Sequence, residues 1–98
     1  MNCCGRKRIK RNIDTDHTGI SFKPRGIPSG QLQSVVLYDD EIEAIRLADL
    51  ASLYQQECAD KMGISRTTFS RLIESARKKI ADALLNKKLL HVKQRDTK

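Results

Sequence analysis

Gln55-Gln-Glu-Cys-Ala-Asp-Lys-Met-Gly-Ile-Ser-Arg-Thr-Thr-Phe-Ser-Arg-Leu72 reads as two helices joined by a tight turn. Ala59 is small enough for the first helix to approach the second, and Gly63, four residues later, can take the left-handed conformation that reverses the chain. Cys58, Met62, Ile64, Phe69 and Leu72 fall where apolar side chains lock such a pair together. Ser65 stands at the start of the second helix as a capping residue.

With those positions turned inward, the start of the second helix shows Ser65, Arg66, Thr67, Ser70 and Arg71 on its outer side. These residue types suit the base edges of duplex DNA. Arginine donates two parallel hydrogen bonds to guanine, hydroxyls reach bases or phosphates, and a helix N-terminus attracts anions. Arg77, Lys78 and Lys79 follow on the same helix and are placed for phosphates, as are Gln55 and Gln56 at the start of the preceding helix.

Outward from this stretch, Phe69, Leu72, Ile73, Ala76, Ile80, Ala83 and Leu84 recur at spacings of three and four, which carries the helix to about Asn86. Lys87 and Lys88 add positive charge beyond it. Upstream, a helix from Asp39 or Asp40 to about Leu50–Ser52 is predicted, its first turn rich in carboxylates that favour a helix N-terminus. Its acidic side is read as surface or as a contact for a basic partner, such as a second subunit or RNA polymerase. Val35–Tyr38 and Leu89–Val92 are β-favouring runs too short to stand alone, which leaves pairing with each other or across a homodimer open. Phe22-Lys-Pro-Arg-Gly-Ile-Pro28 is a turn-rich loop from which Phe22 and Ile27 can dock on the core, with a short helical turn from Ser29 to Ser34.

The 98 residues carry a net charge of +7, unevenly spread. Met1–Tyr38 has seven basic against two acidic residues, Asp39–Met62 two against seven, and Gly63–Lys98 ten against three. Positive flanks around an acidic middle point to a polyanionic partner. The basic cluster Arg6, Lys7, Arg8, Lys10 and Arg11 reads as a flexible arm, either a solvated tail or one that follows phosphates or enters a minor groove.

No apolar run is long enough to span a bilayer or to serve as a secretory signal, so a cytoplasmic protein without a membrane partner is expected. The three cysteines, Cys3, Cys4 and Cys58, lack CxxC spacing, and Cys58 is assigned to the core as a small apolar side chain. The Cys3–Cys4 pair with His17 is a poor set for one tetrahedral metal ion; His17 and His91 are read as solvated. There is no Gly-rich phosphate loop and no nucleophile paired with a base, so neither an enzyme nor a cofactor is expected. RNA binding lacks its usual aromatic platform.

Asp40-Glu-Ile-Glu-Ala-Ile-Arg-Leu47, Tyr54 to Leu72 and Glu74-Ser-Ala-Arg-Lys-Lys-Ile80 together resemble the fourth conserved region of bacterial sigma factors, which binds promoter DNA through a helix-turn-helix. Phe22-Lys-Pro-Arg-Gly-Ile-Pro28, Glu43-Ala-Ile-Arg-Leu-Ala-Asp49, Met62-Gly-Ile-Ser-Arg-Thr-Thr-Phe69 and Ala76-Arg-Lys-Lys-Ile-Ala-Asp-Ala-Leu84 resemble, over nearly the whole chain, a small uncharacterised prokaryotic family to which such a DNA-binding domain is ascribed. The resemblance implies a regulator of transcription without the parts a sigma factor uses to melt a promoter. It departs at Cys58, where related sequences often have alanine. The expectation is therefore a mainly α-helical, region-four-like helix-turn-helix domain over residues 22–92, a basic flexible arm over 1–21 and a disordered tail over 93–98. Its rival is an interaction module that docks on RNA polymerase or another regulator without DNA affinity of its own.

Overall fold

Ser34–Tyr38 and Leu89–Lys93 run side by side as parallel strands, with Val35 opposite Leu90, Val36 opposite His91 and Leu37 opposite Val92. Their β-branched and leucine-rich composition suits a pleated, half-buried surface. The structure is a computed structural model, and it describes Ile13 and residues 16–95. In chain order it contains β1 (Ser21–Phe22), a 3₁₀ turn (Ser29–Gln31), β2 (Ser34–Tyr38), α1 (Asp39–Ile45), a π-helical turn (Arg46–Leu50), α2 (Gln55–Met62), α3 (Arg66–Leu85) and β3 (Leu89–Lys93).

The sheet corrects the mainly α expectation. β3 lies in the middle, antiparallel to β1 on one side and parallel to β2 on the other. Parallel strands need a long crossover, and here all three helices supply it between β2 and β3. The architecture is thus α/β, three helices on a three-stranded mixed sheet. The two short apolar runs find each other within one chain, which a local reading could not decide. Phe22, expected to dock on the core, instead stands 60% exposed in β1.

Two cores meet along α3. Ala44 and Leu47, Cys58, Ala59 and Met62, and Phe69, Leu72 and Ile73 close the three-helix end. Leu37, Ala76 and Val92 join α3 to the sheet, with Ile42, Ile45, Ile80 and Leu90 at the margin. The α2–α3 turn follows the sequence reading closely. Gly63 adopts φ 70° and ψ 33°, while the Gly63 and Ile64 amides donate to the carbonyls of Asp60 and Ala59 at 3.2 and 3.0 Å. This pair of bonds closes the C-terminus of α2 on its own carbonyls.

The acidic start of α1 departs from expectation. Asp39, Asp40, Glu41 and Glu43 are all buried, so they offer no surface to a basic partner. Each is satisfied from within. Arg95 grips Asp40 through bonds of 2.6 and 2.9 Å, and its amide donates to Asp39 at 3.2 Å. Glu43 accepts from Arg46 at 2.7 Å and lies 2.7 Å from His17 Nε2. Glu41 reaches back to the Tyr38 amide at 2.9 Å, and Glu57 repeats the device on the Tyr54 amide at 3.3 Å. In both cases a Glu three residues into the helix satisfies the amide just before it.

Contacts of the fold also involve residues outside the 22–92 span read from sequence. His17 is packed on Glu43 instead of being solvated, and the Gly19 amide donates to Val92 O at 3.2 Å. At the other end, Arg95 belongs to the fold. The basic cluster Arg6–Arg11 and the Cys3–Cys4 pair lie outside the described residues. Among the described residues, no helix is long and apolar enough to cross a membrane.

Candidate nucleic-acid interface

Ser65 sets the first turn of α3. Its Oγ accepts the Thr68 amide at 3.1 Å and donates to Thr68 Oγ1 at 2.9 Å, and its carbonyl accepts the Phe69 amide at 2.9 Å. The amides of Arg66 and Thr67 precede the first intrahelical bond, so they remain directed out of the helix end, where an anion can meet them. Phe69 and Leu72, buried beneath α2, fix the rotation of the helix.

That rotation leaves Ser65, Arg66, Thr67, Ser70 and Arg71 exposed. Thr67, Arg71, Glu74 and Lys78 fall at i, i+4, i+7 and i+11 and form one outward stripe, with Arg66, Ser70 and Arg77 along its flank. Among the described residues, Arg66, Arg71 and Lys78 make no ion pair. Arg46, Arg77, Lys79, Lys88 and Arg95 are paired with carboxylates of the fold, whereas Arg25, Lys61, Lys87 and Lys93 also make no ion pair among the described residues.

The basic residues assigned to phosphates divide accordingly. Arg77 donates to Asp49 at 2.7 and 3.1 Å, yet its side chain is 53% exposed. This bond holds the Asp49 carboxyl below its usual range and raises the guanidinium further. Lys79 lines the same open hollow as Arg71, Glu74 and Lys78, but its charge is engaged. Its ammonium lies 2.7 Å from Glu41 and 4.6 Å from the centre of the Tyr38 ring, whose other contact is the Arg95 guanidinium at 4.4 Å. Lys79 therefore serves the fold, and only Lys78 extends the outward stripe. On α2, Gln55 is half-buried and Gln56 donates to Asp60 at 2.9 Å.

Glu74 was missed from sequence. It places a carboxylate between Arg71 and Lys78 on the stripe, and the 67/71/74/78 spacing already contained that signal. A long polyanion track along α3 is thereby interrupted after its second turn. Cys58 is buried as expected, its thiol pushed up by burial. Among the described residues, no group of three His, Cys, Asp or Glu side chains is placed to hold a metal ion.

The fold and this surface define a small α/β domain in which a β–α–α–α–β crossover holds out the N-terminal half of one helix. A family model described as "Protein of unknown function DUF134" matches residues 1–98, and the chain belongs to that family. It is 59% identical over 71 residues to a UPF0251 protein of Caldanaerobacter subterraneus, covering 72% of this chain and 60% of the relative. A UPF0251 protein of Chlorobaculum tepidum is 55% identical over 69 residues, 70% of this chain and 45% of the relative. One from the archaeon Methanococcus vannielii is 44% identical over 88 residues, 90% and 68% of the two chains. The chain spans about half to two thirds of the length of these relatives. No solved structure matches it.

Proposed function

We propose that the chain binds duplex DNA with sequence preference and acts in the regulation of transcription, the N-terminal half of α3 lying in the major groove. The observation that carries this reading is position: Arg25, Lys61, Lys87 and Lys93 also lack an ion pair among the described residues, but Arg66 and Arg71 stand beside the capped start of α3. Arg77, Lys79, Lys88 and Arg95 are tied to carboxylates of the fold, while Arg66 and Arg71 stand exposed on the first two turns of α3 without an ion pair among the described residues. A guanidinium held out beside a helix N-terminus suits bidentate recognition of guanine, and Ser65, Thr67 and Ser70 add hydroxyls within the same two turns. The α2–turn–α3 pair supplies the rigid support such reading needs, because Phe69, Leu72 and Met62 are fully or nearly fully buried beneath it.

The sequence resemblance to the DNA-binding region of sigma factors supports the same reading. The sheet distinguishes this domain from that all-helical region, but it lies against the central and C-terminal part of α3, behind the proposed reading surface. RNA polymerase enters only as a partner that such a regulator would meet at a promoter. The test is equilibrium binding of the full chain to a random duplex pool across a salt series, followed by sequencing of the bound fraction. The account requires affinity that falls with salt and an enriched sequence. Salt-independent or absent binding would leave the interaction-module reading in its place.

A further inference from the structure

A second surface lies at the far end of α3, about 25 Å along the helix from Arg66 at the usual rise per residue. Here α3 and β1 stand apart over β3, leaving an open groove of about 350 Å³. Phe22 and Pro24 form one wall, Leu84 the other, and Leu90 lies between them. Phe22 is 60% and Leu84 72% exposed, so two large apolar side chains of the described fold are left in water on either side of one groove. Contiguous apolar surface of this kind, rimmed by polar groups, marks an interaction site.

The charged residues that line it are all lysines. Lys23, Lys87 and Lys88 surround the apolar lining. Lys23 is steadied by donating to Ile27 O at 2.7 Å, and Lys88 by Asp82 at 3.1 Å. Lys87, two residues past the end of α3, has φ 56°, a left-handed conformation that a β-carbon disfavours and that glycine adopts freely. The backbone gains nothing from lysine there, and its side chain lines the groove.

We propose that this groove docks an amphipathic helix of a partner protein that carries acidic residues beside its apolar stripe. Charge complementarity selects this occupant. A symmetric pairing of two copies through the groove would set Lys23 and Lys87, which have no ion pair among the described residues, against their own copies. The chain's own N-terminal segment carries Arg6, Lys7, Arg8, Lys10 and Arg11, the same sign as the rim. An anionic bilayer shares the required charge, but a concave groove between a helix and a strand receives a ridge of side chains better than a flat surface. The site is independent of the reading surface at the other end of α3, so one molecule can hold DNA and partner together.

The experiment measures fluorescence anisotropy of two synthetic helical peptides titrated with the full chain. They share leucines at i, i+4 and i+7 and differ in flanking Glu or Lys. The Glu peptide binds at least about tenfold more tightly than the Lys peptide, by complementarity at the rim. Leu84→Glu removes that binding while circular dichroism stays unchanged. Lys87→Gly weakens it while thermal stability holds or rises, which separates the charge from the fold. Equal affinity for the two peptides, or affinity for neither, overturns the proposal. Binding to phosphatidylglycerol vesicles that Leu84→Glu abolishes would instead assign the groove to a membrane surface. A dimer seen by sedimentation and dispersed by Leu84→Glu would assign it to a second copy.

Discussion

The Lys79 ammonium of α3 lies 2.7 Å from Oε1 of Glu41, a side chain only 2% exposed at the start of α1. Ser75 donates to the other oxygen at 2.6 Å and the Tyr38 amide adds a third bond at 2.9 Å. A carboxylate taken so far out of water is tolerated because every side of it is answered. The pair joins the middle of α3 to the junction of β2 and α1, and it removes one lysine from the basic face that sequence alone assigns to DNA.

Lys79→Met should therefore destabilise the fold by about 1–3 kcal/mol in urea titrations, since it leaves Glu41 with its hydrogen bonds and only the less direct charge of Arg95. Glu41→Gln in the same chain should recover part of the loss. In DNA titrations, Lys79→Met should leave the salt slope unchanged, whereas Lys78→Ala should lower it by about 1. A slope reduced equally by both would return Lys79 to the DNA surface.

Glu74 stands on the outward stripe between Arg71 and Lys78, and a carboxylate there opposes phosphate. Glu74→Gln should raise affinity for random duplex by about two- to fivefold at low salt, with the gain shrinking as salt screens it. Competition binding against a selected site separates this from base reading. If the variant instead loses its preferred sequence, Glu74 accepts from a base.

Gly63 holds the turn in a backbone conformation that disfavours any side chain with a β-carbon. Gly63→Ala should cost about 1–2 kcal/mol of stability, read as a shifted denaturation midpoint with unchanged cooperativity. A neutral result would mean the turn relaxes into another geometry, and the orientation of α3 with it.

Acid should loosen the link between Asp49 and Arg77. The hydrogen bond from Arg77 lowers the Asp49 carboxyl below its ordinary value of 3.8. A carboxylate depressed in the folded state stabilises it at pH above the unfolded value, and that contribution is lost as pH falls through the lowered folded value. Both side chains are substantially exposed, 53% and 40%, so the effect is small. Urea midpoints below pH 4 should fall slightly less steeply in Arg77→Ala than in the parent chain. Identical acid limbs would show that the pair contributes nothing.

The helices were legible because their signals are local. Ser65 as cap, Gly63 as terminator and the stripe from Phe69 to Ala83 lie within a turn or two of the backbone they govern, and α2 and α3 occur where those residues place them. The sheet was not, because β2 and β3 are separated by fifty residues and neither five-residue run is decisive until the other is beside it. β1, two residues long, has no pattern at all.

The acidic opening of α1 was misread for a related reason. Asp39, Asp40, Glu41 and Glu43 look like a solvated helix start until Lys79, Arg95 and His17 arrive from elsewhere in the chain, with Arg46 one turn on from Glu43, and fold to bury them. The exposed set at the start of α3 depended only on helical phase, which the buried partners Phe69 and Leu72 fix.

The account stands most directly on one ratio: affinity for a sequence selected from a random pool over affinity for its scrambled version, measured in the parent chain and in Arg66→Ala/Arg71→Ala. Two lost bidentate contacts should collapse the ratio by about a hundredfold or to unity, while circular dichroism and thermal stability remain those of the parent. A double variant that keeps the parent's ratio would contradict the claim that these two guanidinium groups read the DNA.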